Sequence, residues 1–137
     1  DQIIPGERKE KMLTKFLWIY GHLILLLGLA GFSAALLIIV SSQDLIICDE
    51  MRWLTYGSTA TIFTSLSIIE TAFKGYNGGL KLPLLFKAGR YGSILTCLIL
   101  AIYGSDINTI YALTTILFLI ILQTFLGVYL WTKVAKK

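Results

Sequence analysis

Residues 53–73 read WLTYGSTATIFTSLSIIETAF, long enough to cross a bilayer yet crowded with hydroxyls and carrying an acid, Glu70, near its end. Thr55, Ser58, Thr59, Thr61, Thr64, Ser65, Ser67 and Thr71 ring a helix of this length, while Ile62, Phe63, Leu66, Ile68 and Ile69 supply its apolar bulk. In lipid a hydroxyl returns its proton to a carbonyl one turn back, so such a helix is allowed but is better placed inside a bundle. The face with Thr55, Ser58, Thr59 and Ile62 is expected to be among its most protein-covered parts. Close helix packing is the simpler account of these hydroxyls; a polar path or a bound headgroup is the functional one.

Three further apolar runs flank this segment, at 16–40, 84–103 and 107–132. The chain of 137 residues is 56% hydrophobic and 15% charged, with a mean hydropathy of +0.77. A soluble chain has no means of hiding that much apolar surface, and the composition marks an integral membrane protein. Spans of about 20 residues, rising ~1.5 Å per residue, consume most of the length. The fold expected is therefore all-α: one domain, residues 1–137, of four transmembrane helices in an up-down bundle with spans near 16–40, 53–73, 84–103 and 107–132. The lead-in at 1–15 is polar, with Pro5-Gly6 expected to break any early helix, and reads as an interfacial segment rather than a signal peptide.

Charge sets the threading. Of the twelve basic residues, eleven fall on one side of such a bundle: Arg8, Lys9, Lys11 and Lys15; Lys74, Lys81, Lys87 and Arg90; Lys133, Lys136 and Lys137. Only Arg52 lies on the other, among Asp44, Asp49, Glu50 and Asp106. The positive-inside rule then puts both termini and the middle connection on the cytoplasmic or matrix side, in a bacterial plasma membrane or a mitochondrial inner membrane. The net charge of +4 is accordingly read as topology and contact with anionic lipid, through Lys74, Lys81, Lys87 and Arg90, rather than as a nucleic-acid signal. The glycine-rich stretch GYNGGLK at 75–81 lacks the GxxxxGK[ST] pattern of a phosphate loop, which disfavours nucleotide binding.

Small residues mark where helices can approach closely. Gly28, Ala30, Gly31, Ser33, Ala34 and Ala35 form a patch in the first span, with Ala30 and Ala34, and Gly31 and Ala35, four apart; Gly89, Gly92 and Ser93 form another in the third. Such pairs let backbones meet where apolar burial no longer drives association. Gly28, Gly31, Ala35, Gly89, Gly92 and Ser93 are the expected packing positions, against sister helices or partner subunits.

Polar residues inside spans are costly and point to function. In the expected threading His22, Glu70, Arg90 and Gln123 all lie in the inner half of the bundle, a layer able to bind an anionic headgroup through Arg90 or relay a proton between His22 and Glu70. The simpler account pairs Glu70 with Lys74 at i+4, lets Arg90 reach the interface, and satisfies His22 on a neighbouring carbonyl. His22 is the only histidine, so a haem b held through it needs a second axial ligand from another chain. Cys48 and Cys97 belong at different depths and no disulfide is expected; Cys97 has no candidate base beside it for nucleophilic catalysis. The acidic connection at 41–52 lacks the ligand density of a calcium loop, and no metal is expected.

The length and four-span layout are similar to those of several unrelated groups of small membrane proteins, the small multidrug transporters among them, but the glutamate those transporters carry early in the first span has no counterpart here, where His22 is the only side chain in that run that ionises near neutral pH. The expected role is a non-catalytic membrane subunit, not an enzyme, packing with other integral subunits and bound lipid. The alternative is a homo-oligomeric channel or transporter for an ion or small polar solute, with the second helix lining the path.

Overall fold

In a computed structural model the chain is all-α, with helices α1 (Pro5–Ser42), α2 (Asp49–Tyr76), α3 (Leu84–Tyr103) and α4 (Thr109–Val134). The structure describes the backbone of residues 5–42, 46, 48–76, 84–104 and 108–134, and within these the side chains of 12–42, 46, 48–72, 86–104 and 108–129.

Three helix starts differ from expectation, each for a local reason. Pro5 does not break α1 but begins it, because the first turn asks for no N–H and the ring fixes a helical φ. α2 starts at Asp49, so Asp49 and Glu50 lie in its first turn rather than in a loop, where carboxylates oppose the positive end of the helix dipole. α4 starts at Thr109, two residues later than read, because Asn108 caps it: Oδ1 accepts the N–H of Ile110 at 2.9 Å and its carbonyl accepts that of Ala112 at 3.1 Å.

Successive helices run antiparallel. Gly21 lies against Ile68 and Ile69, Gly28 against Ser58 and Ile62, and Gly31 against Ser58, so α1 ascends as α2 descends. Glu70 meets Arg90 at one end of the α2–α3 hairpin, and Arg52 meets Ala101 at the other. Gly89 lies beside Leu126 and Gln123, and Gly127 beside Phe86, which orients α4 against α3. An isolated bridge between Ile46 and Asn108 ties the α1–α2 and α3–α4 connections at one end. Each helix packs chiefly on its neighbour in sequence, most extensively α1 on α2 and least α4 on α3.

The core gathers towards the bridged end, where Ile39, Tyr56, Ala60, Phe63, Cys97, Ala101, Ala112, Ile116 and Leu119 meet from all four helices. Among the described residues two stretches are long and apolar enough to cross a membrane: Met12–Ser42 in α1, 31 residues, and Thr109–Tyr129 in α4, 21 residues. In both, the large side chains point mostly outward, among them Leu26, Leu27, Leu37, Phe118, Ile121 and Phe125.

Candidate functional site

The hydroxyl-rich helix satisfies itself. Thr55 donates to the Met51 carbonyl, Ser58 and Thr59 to that of Thr55, Thr61 to Gly57, Thr64 to Ala60, Ser65 to Ile62, Ser67 to Phe63 and Thr71 to Ser67, at 2.7–3.1 Å. With their protons turned inward along the helix, these groups can sit in close packing without partners from elsewhere. Thr55, Ser58, Thr59 and Ser65 are buried, and Ile62 is half-buried against Gly28.

Of the polar layer read from the sequence, the structure brings Glu70 and Arg90 together. An Arg90 Nη donates to Glu70 Oε2 at 2.7 Å, and only 12% of the Arg90 side chain and 15% of the Glu70 side chain remain exposed. The Arg90 guanidinium also lies over the Phe86 ring, 4.6 Å from its centroid, a cation–π contact one turn back along α3. Glu70 is therefore paired across helices with Arg90; the Lys74 side chain, expected beside it at i+4, lies outside the described residues, as does Lys81. The pair edges a cavity of about 70 Å³ with Ser67, Thr71, Lys87 and Tyr91.

Gln123 stands apart from that pair but turns inward, donating through Nε2 to Ser93 Oγ at 3.1 Å, and Ser93 passes its own proton to the Gly89 carbonyl at 3.0 Å. His22 joins neither. Its Nδ1 donates to the Trp18 carbonyl at 2.7 Å on its own helix, and its ring lies 4.3 Å from that of Trp18. No second imidazole exists in the chain to complete a haem, and among the described residues no three His, Cys, Asp or Glu side chains converge as for a metal ion. Cys48 is exposed, Cys97 buried, and both are free thiols.

The packing positions divide sharply. A Cβ on Gly28 would lie 2.8 Å from Ile62 Cγ1 and 3.1 Å from the Ile62 nitrogen, on Gly31 3.2 Å from Ser58 Cβ, and on Gly89 3.0 Å from Leu126 Cδ1. Ala35 and Ser93 are buried, whereas Ala30, Ala34 and Gly92 face outward, and Gly92 has open space where a Cβ would stand. Gly21 packs as tightly as Gly28, its absent Cβ 2.7 Å from Ile69 Cγ1, and sequence reading passed it over because it sits outside the small-residue patch.

Sequence reading also missed Arg52, counted as the lone loop base. It is 6% exposed; its Nε donates to the Ala101 carbonyl at 2.9 Å and an Nη to Asp49 Oδ1 at 2.6 Å. The signal was present: Asp49 and Arg52 stand at i and i+3 ahead of an apolar run, the pattern of a first-turn ion pair. One turn on, Tyr56 is 1% exposed, and its buried hydroxyl, like Arg90 Nε and Gln123 Oε1, has no hydrogen-bond partner among the described residues. No known protein family, curated protein or solved structure matches the chain.

Proposed function

We propose that the chain is a four-span integral membrane protein, with both termini and the α2–α3 connection on the cytoplasmic or matrix side, serving as a non-catalytic subunit of a larger membrane assembly. The observation that carries this reading is the outward apolar surface of α1 and α4. In an 18-residue apolar window of each, only 17% is buried within the chain, which leaves the rest for lipid or neighbouring helices to cover. α2 and α3 complete the bundle because they run antiparallel between those two, and because the hydroxyls of α2 are satisfied without water.

A subunit fits better than a channel. The hydroxyls of α2 have turned onto their own backbone, and Glu70 and Arg90 neutralise each other, so the polar groups form local closures rather than a continuous path.

Gentle extraction from the native membrane followed by native mass spectrometry tests the role. Recovery with fixed, non-identical membrane partners is the expected result; a stable homo-oligomer without them defeats the subunit reading and favours the channel. Orientation has its own reporter in exposed Cys48, at the end opposite Glu70 and Arg90. A membrane-impermeant maleimide is expected to label Cys48 from the outer face of sealed membranes, and labelling only after permeabilisation reverses the threading.

A further inference from the structure

The cavity beside the Glu70–Arg90 pair is the described place where donors, a cation and an opening come together. Lys87, Arg90 and Tyr91 stand at i, i+3 and i+4, hence on one face of α3, opposite Ser67, Glu70 and Thr71 of α2. Ser67 and Thr71 have given their protons to the Phe63 and Ser67 carbonyls and can only accept. The donors come from α3: the Lys87 ammonium, the Tyr91 phenol and the Arg90 guanidinium, whose Nε–H is buried with no acceptor among the described residues. Lys87 and Arg90 against Glu70 leave the lining with one excess positive charge, which suits a monoanion.

The surroundings narrow the class. Arg90 lies six residues into α3, about 9 Å along its axis, the depth of a headgroup rather than of the bilayer middle. From Tyr91 an exposed line continues through Leu95, Leu98 and Ile102, at helical spacing along one side of α3. An acyl chain attached to a group in the cavity has that line to lie against.

We propose that this cavity binds a phosphate monoanion, with the phosphodiester of a membrane glycerophospholipid as its occupant: Lys87 and Arg90 hold the phosphate oxygens, Tyr91 donates at the mouth, and an acyl chain follows Leu95, Leu98 and Ile102. This deepens the membrane-subunit reading and rests on its insertion, not on its partners.

The test is native mass spectrometry of the full chain in a non-ionic detergent, titrated separately with dioleoylphosphatidylglycerol, with dioleoylglycerol, which keeps the tails but lacks the phosphate, and with inorganic phosphate. One phosphatidylglycerol per chain is expected, retained at least about tenfold better than dioleoylglycerol, as a charge-assisted contact implies. Lys87→Gln is expected to lose about tenfold of that affinity and Lys87→Arg to keep it; Lys87 is half-buried and leaves the Glu70–Arg90 pair in place. Binding of inorganic phosphate with the same Lys87 dependence and no gain from the tails supports the phosphate site with a free ion as occupant. Equal retention of dioleoylglycerol, or Lys87→Gln binding phosphatidylglycerol like the wild type, overturns the proposal. Alkaline carbonate extraction of the chain from phosphatidylglycerol vesicles keeps the two readings apart. Release of the chain breaks the membrane reading, whereas an inserted chain indifferent to Lys87→Gln breaks the site alone.

Discussion

α1 and α2 meet where side chains are missing, whereas α2 and α3 are fastened where side chains are longest. Along the first interface Gly21, Gly28 and Gly31 bring backbone against Ile69, Ile62 and Ser58, a seam of about three turns made by uncharged residues. Along the second, an arginine sits near each end: Arg52 on the Ala101 carbonyl and Arg90 on Glu70. The first kind of contact is made of many weak, distributed dispersion terms and fails by crowding. The second is concentrated in a few buried polar atoms and fails when one partner goes.

The largest effect is therefore expected at the charged joint. Glu70→Leu leaves the Arg90 guanidinium without its carboxylate, at a cost of about 4 kcal/mol in unfolding free energy measured by denaturant titration in micelles. Glu70→Leu combined with Arg90→Leu is expected to return within about 1 kcal/mol of the wild type, because two apolar side chains replace both charges at once. A double variant as unstable as the single one would show that packing around Glu70, not the pair, is what the joint depends on.

The glycine interface comes next. At Gly28 any side chain runs into backbone as well as side-chain atoms, the Ile62 nitrogen at 3.1 Å and the Ser58 carbonyl oxygen at 3.3 Å, and backbone cannot rotate away. Gly28→Leu is expected to cost about 3 kcal/mol in the same titration. A loss under about 1 kcal/mol would mean that α1 can slide or tilt on α2, and that the distributed contact is more plastic than its spacing implies.

Arg52 sharpens the contrast between its two bonds. Arg52→Met removes the only side-chain donor found on the Ala101 carbonyl among the described residues and is expected to cost about 2 kcal/mol. Asp49 is 79% exposed, so Asp49→Asn is expected to cost no more than about 0.5 kcal/mol. Equal losses would place the worth of Arg52 in the ion pair instead of the carbonyl.

These residues also show what was legible in the sequence. Four apolar periods, the alternation of helices and the covering of Thr55, Ser58 and Thr59 follow from composition and hydroxyl chemistry, which act within one helix. The helix starts at Pro5, Asp49 and Thr109 differ from the apolar runs because capping and first-turn charge extend or trim a helix relative to its apolar run. Glu70 and Arg90 read as lying at one depth, but their pairing is set by the α2–α3 register, which is absent from any local pattern. His22 shared that depth and still faces elsewhere, because depth along a helix says nothing of azimuth around it. Gly28 and Gly92 read identically as small residues, yet one is pressed against backbone and the other open, for the same reason.

That last difference makes Gly92 the mildest substitution and the most telling about assembly. In the chain alone Gly92→Ala meets nothing within 4 Å among the described residues and replaces the weakest ordinary helix former with the strongest, so a gain of about 0.5–1 kcal/mol in the micelle titration is expected. Gly92→Leu, filling the same open space, is expected to stay within about 0.5 kcal/mol of the wild type there. In the native membrane the two part ways if a partner helix lies on this face: alanine fits a close crossing, leucine does not. Gly92→Leu that is stable in micelles but recovered without its membrane partners places the assembly contact on the outer face of α3; full recovery with partners moves that contact to the open sides of α1 or α4.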